Sequence, residues 1–287
     1  MERSPSLRAS FFNNDFVVSG SSPVDTKYTK MFEGEDRRIR FRRELYFLRY
    51  CSQRQIHCVP SLIRVCPKLC QLTVSSVGSS NPICPDLFFS KLRVFIDSLN
   101  RPSAYSKRYK FSAKGAIGSF VSLSNEINSR ICRISEVINT KGFDNSLTEK
   151  NLHKLLNRWC ILSSALGSNK NFGAVFFETA ISPSDVGFHN AIFNDGEIFF
   201  IDFEYAGKCT KGKLVLDLLT QPHLIEHRES CLKYFSDYIS MDEDSFKFIL
   251  KCFEIRWGLI VLGAFFKNGQ FCRYEKVFNE YCGKIDG

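Results

Sequence analysis

The sequence predicts an α+β chain of two lobes: a small mixed N-terminal lobe, and a larger, mainly helical C-terminal lobe carrying one central hairpin. Three observations predict it. The stretch SSVGSSNPICPD, residues 75–86, clusters Ser, Gly and Pro and reads as a linker, because these residues interrupt regular structure. The chain after it is dominated by apolar residues at helical spacing. Amid those helices, residues 191–193 and 197–203 are apolar or aromatic runs joined by Asn194-Asp195-Gly196, a hairpin turn because Asp and Gly tolerate positive φ.

Composition bounds the function classes. A chain of 287 residues suits one large domain or two closely packed lobes. A hydrophobic share of 44% and 28 Phe supply a core, which excludes disordered and fibrous architectures. The formal charge of +9 leaves nucleic acid, an anionic membrane and a phosphorylated ligand all open as partners. The first twelve residues hold no long apolar run, so no secretory leader is expected. The most apolar run, 258–266, is about half of what a bilayer requires. The expected location is the cytoplasm, where the 12 Cys stay reduced. There is no Cys-x-x-Cys pair, and Cys66 and Cys70 have no His or Cys at zinc-ligand spacing.

The elements follow in order. Before the linker, a strand is predicted over 27–32, a long basic helix over about 36–52, and strand-like pieces around 60–73. After it, helices are predicted over 87–100, 117–139 and 147–166, the last with a Ser146/Glu149 capping box. Further helices are predicted over 214–219, 223–238 and 245–267. The corresponding division is 1–78, a linker at 79–86, and 87–287.

Polar residues stand at awkward places around the hairpin. Asp202 falls within FFIDFEY, and a buried carboxylate must be paired, bind a metal or change protonation state. Asp202 therefore needs a partner. Asp185, Asn190 five residues on, and Asp202 twelve further on match the parts of magnesium-assisted phosphoryl transfer: a hydroxyl-orienting Asp, a neutral oxygen ligand and a second carboxylate.

The stretch SPSDVGFHNAIFNDGEIFFIDFEYAG, residues 182–207, resembles the catalytic loop and metal-binding segment of the aminoglycoside phosphotransferase and choline kinase-like family, relatives of the protein kinases. The similarity is strongest over 180–222 and continues weakly through Arg256-Trp257 and into the N-terminal lobe. It implies a bilobal protein-kinase-like fold and ATP and Mg²⁺ as cofactors. It also implies Asp185 as catalytic base, with Asn190 and Asp202 as magnesium ligands. Asp217 falls where the family keeps an Asp behind the catalytic loop, and is expected to be structural. The family's usual His-Gly-Asp is here Pro183-Ser184-Asp185, similar to a bacterial subgroup of unassigned substrate, so a His that packs under the loop in many relatives is missing. His189 is the only nearby imidazole and is expected to be structural.

Kinase-like enzymes also need a Lys on the nucleotide phosphates, fixed by a Glu of the following helix. Lys30 is the candidate, with Lys27 close enough in sequence to be confused with it. Glu44 shares a helix face with Phe41, Leu45 and Leu48 and so requires a cation. Gly20 is the candidate for the phosphate-covering loop, and its nine-residue separation from Lys30 leaves no room for a full strand-turn-strand hairpin. Either the lid is abbreviated, with residues 19–22 doing part of its work, or nucleotide binding is weakened.

The leading expectation is an ATP-dependent kinase acting on a hydroxyl of a small molecule, with ATP between the lobes near the linker. The alternative is a pseudokinase serving as a binding or scaffold module. The run Arg37, Arg38, Arg40, Arg42, Arg43 is expected to be mostly a solvated helix face. No zinc module, helix-turn-helix or aromatic RNA-binding signature accompanies it, so nucleic acid is not the expected partner. Phe199, Phe200 and Phe203 are expected in the core. Residues 87–166 and 245–281 contain no acidic cluster suited to a polycationic acceptor, which favours a sugar or another hydroxyl metabolite.

Overall fold

In the computed structural model of the chain, residues 8–11, 14–19, 27–78, 84–141, 146–165, 178–268 and 271–286 are described. They divide into two compact units with an interleaved chain path. The first is Met1–Lys114 with Ala180–Lys208, and the second is Gly115–Thr179 with Cys209–Gly287.

The first unit begins with strands β1 (Arg8–Phe11), β2 (Asn14–Ser19) and β3 (Lys27–Phe32), then helix α1 (Arg37–Gln53), then β4 (Leu62–Cys66) and β5 (Gln71–Ser75). The strands form one antiparallel sheet in the order β1-β2-β3-β5-β4. The strand predicted at 27–32 forms with those bounds, and Lys30 and Phe32, two residues apart, are both buried. The hairpin that Gly20 leaves no room for lies earlier, as β1 and β2, and Gly20 falls in the connection after β2, outside the described residues. On α1 the buried residues Arg40, Phe41, Glu44, Phe47, Leu48 and Cys51 recur at spacings of three and four.

Helix α2 (Pro85–Asn100) starts with Pro at its first turn, where the missing N–H costs no hydrogen bond, and Asp86 complements the helix dipole. The short α3 (Ala104–Lys107) has a Ser103/Ser106 capping box. The chain returns to this unit through β6 (Thr179–Ser182), β7 (Ala191–Asn194), β8 (Glu197–Phe200) and β9 (Gly207–Thr210). The β7–β8 hairpin turns on Asp195 and Gly196, both at positive φ (49° and 82°), as predicted. Its second strand ends at Phe200, not Phe203, because Asp202 takes a left-handed backbone (φ 63°) that breaks the ladder. Phe200 and Phe203 are in the core while Phe199 is half-buried. Phe200 stacks on Phe95 of α2 (4.8 Å between centroids) and Phe203 packs on Phe47 of α1 (4.5 Å). These contacts seat the hairpin end against both helices.

The second unit is helical: α4 (Phe120–Lys141), α5 (Ser146–Ala165), α6 (Lys211–Thr220), α7 (Arg228–Phe235), α8 (Glu243–Asn268) and α9 (Phe271–Asp286). Its core gathers Leu123, Leu155, Trp159, Leu216, Phe253, Leu262 and Phe278. The helix predicted over 223–238 is shorter, because the segments before and after α7 tighten into 3-10 turns. Helix α9 has no counterpart in the sequence reading. Its Phe278, Tyr281 and Cys282 are buried at helical spacing. No helix among the described residues is long and apolar enough to cross a membrane.

Candidate active site

Three of the side chains singled out for phosphoryl transfer, Lys30, Glu44 and Asp202, come together within the first unit. Lys30 on β3 is 3% exposed, and its Nζ donates to Glu44 Oε2 at 2.7 Å and to Asp202 Oδ1 at 2.5 Å. Asp202 thus has the cation its position required. Lys27, at the start of the same strand, is exposed, so it is Lys30 that meets Glu44. The sequence reading missed a third carboxylate. Glu204 is 3% exposed and places Oε2 at 3.2 Å from Lys30 Nζ.

Burial alone lowers an ammonium's pKa, but the fields of Asp202, Glu44 and Glu204 override it and raise that of Lys30. Glu44 moves the other way from an ordinary ion-paired acid. Burial acts on it in full, while Lys30 divides its attraction among three carboxylates, and its pKa is pushed up to about 7.

Arg40 is the exception on a basic face expected to be mostly solvated. Arg37, Arg38 and Arg42 are exposed, but Arg40 is 5% exposed and one helical turn from Glu44. Its NH1 donates to both Glu204 oxygens at 3.1 Å, its Nε to Asp36 Oδ1 at 2.9 Å, and its NH2 to the Glu33 carbonyl. Desolvation would disfavour its charge, yet Glu204 and Asp36 raise its pKa. The face rule that singled out Glu44 also reaches Arg40, four residues earlier.

The catalytic-loop candidates lie on the segment between β6 and β7. Asn100 at the end of α2 pins β6 through its side chain, accepting from Ile181 N (2.7 Å) and donating to Ile181 O (3.0 Å). Ser184 occupies the place of the family's Gly and holds the left-handed backbone suited to a Gly (φ 74°). Its N–H donates to Ser182 Oγ at 2.9 Å. Asn190 is buried. Its Nδ2 donates to the Asp185 carbonyl at 2.8 Å, which leaves Oδ1 as its acceptor, and its own carbonyl accepts from Ile201 N at 3.0 Å. That backbone bond brings Asn190 beside the residue preceding Asp202. Asp185 is part-exposed, with Oδ1 3.8 Å from His189 Nε2. Burial lowers the His189 pKa against the pull of Asp202, which favours the neutral imidazole.

Glu44, Asp202 and Glu204 offer carboxylate oxygens within 4.8 Å of one another, the one such acidic grouping among the described residues. With Lys30 and Arg40 they form a cluster of three acids and two bases. Carboxylate oxygens and an amide oxygen are the hard donors Mg²⁺ takes, so the residues present fit that ion.

No protein-family model matches the sequence, and no curated protein does. Solved structures do. A choline/ethanolamine kinase family protein from Mesorhizobium loti aligns over 99% of this chain and 87% of its own, with a TM-score of 0.62 and 12% identity. The gentamicin complex of APH(2")-IIa aligns over 98% and 89%, with a TM-score of 0.64 and 12% identity. The choline kinase LicA from Streptococcus pneumoniae aligns over 98% and 92%, with a TM-score of 0.60 and 13% identity. The chain has the protein-kinase-like fold of the aminoglycoside phosphotransferases and choline kinases. Within this kinase-like fold, Asp217 belongs to the second unit and is satisfied there. Its Oδ1 accepts from Arg256 NH1 (2.7 Å) and Trp257 Nε1 (3.0 Å), and its Oδ2 pairs with Lys213.

Proposed function

We propose that this kinase-like chain is an ATP-dependent phosphotransferase that phosphorylates a hydroxyl of a small molecule in the cytoplasm. The observation that carries the reading is the meeting at Lys30 of Glu44 and Asp202, which lie 14 and 172 residues away in the chain. Such a buried cation, flanked by a helix Glu and a post-hairpin Asp, is the arrangement phosphoryl transfer uses to hold a nucleotide.

Lys30 would leave Asp202 and bind the α- and β-phosphates, with Glu44 fixing its position. Asn190 Oδ1 and the Asp202 carboxylate would hold Mg²⁺, which neutralises charge on the phosphate oxygens. Asp185, part-exposed, would orient the acceptor hydroxyl and take its proton as the acceptor oxygen bonds to the γ-phosphorus. The bond from that phosphorus to the bridging oxygen breaks, and ADP leaves. Positioning and charge neutralisation supply most of the rate. Gly20 is proposed as a nucleotide-binding residue. The acceptor is proposed to be a sugar or another hydroxyl metabolite.

The test is transfer from isotope-labelled ATP to a metabolite panel, with ATP hydrolysis as a second readout. Asp185→Asn is expected to lower turnover by roughly 10²- to 10⁴-fold, the range of general-base catalysis. Asp202→Ala should abolish it. Equal activity in both variants and the unmodified chain ends the assignment.

A further inference from the structure

We propose that Arg40 is a positioning residue of the nucleotide site, holding Glu204 so that Lys30 stays available to phosphate. The inference rests on the phosphotransferase reading and adds to it a residue outside the Lys30, Glu44, Asp185, Asn190 and Asp202 set.

Arg40 joins three pieces of chain that carry the candidate site. Its NH2 reaches the Glu33 carbonyl just after β3, the strand of Lys30. Its backbone belongs to α1, the helix of Glu44, where Nε holds Asp36 at the first turn. Its NH1 takes both oxygens of Glu204, two residues past Asp202. A guanidinium suits the task, because its planar donors point in fixed directions and its charge persists when buried.

The second part of the argument is charge. Glu204 Oε2 sits 3.1 Å from Arg40 NH1 and 3.2 Å from Lys30 Nζ, so the two cations share it. Remove Arg40, and Lys30 becomes the sole cation of the cluster facing Glu44, Asp202 and Glu204. Incoming phosphates must then displace three carboxylates from one ammonium. Glu204 is buried, so little water is at hand to take the place of Arg40 beside it. The defect is therefore one of nucleotide affinity, and removing the Glu204 charge corrects it.

Calorimetric titration of the full chain with MgATP tests this, using Arg40→Met, Glu204→Gln and the double variant, with thermal melting as the control for folding. Arg40→Met is expected to weaken MgATP binding by roughly tenfold or more, and the double variant to return within about threefold of Glu204→Gln alone. Unchanged affinity in Arg40→Met, or a double variant as weak as Arg40→Met, overturns the proposal. If Arg40→Met loses its melting transition, Arg40→Gln, which retains an amide donor without charge, replaces it under the same two criteria. An unmodified chain that melts cooperatively but binds no MgATP overturns the phosphotransferase reading, and this inference with it. Binding by the unmodified chain with equal binding by the Arg40 variant overturns this inference alone.

Discussion

Lys30 Nζ lies 2.5 Å from Asp202 Oδ1, although 172 positions separate the two residues in the chain. Removing the ammonium leaves buried carboxylates facing one another. Lys30→Met should therefore lower the unfolding free energy by about 3–5 kcal/mol, the usual cost of breaking a buried pair from one side. Urea denaturation at neutral pH measures it. Lys27→Met, at an exposed position of the same strand, should fall within about 0.5 kcal/mol of the unmodified chain.

The Glu44 carboxyl gives the cluster a pH signature. Its pKa is raised from 4.5 to about 7, so the folded chain holds a proton that the unfolded chain releases. That contribution to stability is complete below about 4.5 and is lost as pH rises to about 7. Melting temperatures across this window should show the loss, and Glu44→Gln should flatten the slope. An unchanged slope in the variant would assign the effect elsewhere.

Asp217 predicts the opposite sign in the second unit. Burial pushes its carboxyl up, but Lys213 and Arg256 outweigh burial and hold it below the ordinary 3.8. Its contribution is present above that value and is lost as pH falls through the lowered pKa. Asp217→Ala takes the carboxylate from buried Lys213 and leaves Arg256 with Glu126 alone, and should cost about 3 kcal/mol or more. Chemical denaturation at pH 7 should register that loss, while at strongly acid pH the gap from the unmodified chain should narrow.

Gly207 tests a close backbone approach. A Cβ at this position would run into the main chain of Ser112 and Ala113, and backbone cannot rotate aside as a side chain can. Gly207→Ala should destabilise the first unit by about 1–3 kcal/mol. Gly196→Ala provides the contrast: its Cβ meets nothing, and only the positive φ opposes it. Limited proteolysis followed by urea unfolding can rank the two.

The candidate site was legible in the sequence where chemistry forces residue types into fixed spacing. Asp185, Asn190 and Asp202 lie close together in the chain, and the Asp195-Gly196 turn announced the hairpin. Lys30 and Glu44 could be matched because a carboxylate on an apolar helix face requires a cation. Arg40 was hidden by its neighbours: it stands in a run of five arginines, which reads as a charged surface, although its spacing of four from Glu44 places it on the same helix face. Glu204 was missed although the argument used for Asp202 applies to it equally, since it too stands among aromatic residues. The N-terminal hairpin was not legible, because β1 and β2 lie upstream of Gly20 and their short, mixed sequences lack strong alternation.

The interleaved path of the first unit also dictates when it can be finished. A ribosome that has made Lys30 and Glu44 must still thread out α4 and α5 before Asp202 and Glu204 exist. At bacterial to eukaryotic elongation speeds the interval is roughly 10–30 s. For that time the nascent chain carries Lys30, Arg40 and Glu44 without their later carboxylate partners, exposed to chaperones and proteases. The charge cluster thus also marks a late checkpoint in biogenesis, reached only after the hairpin has emerged.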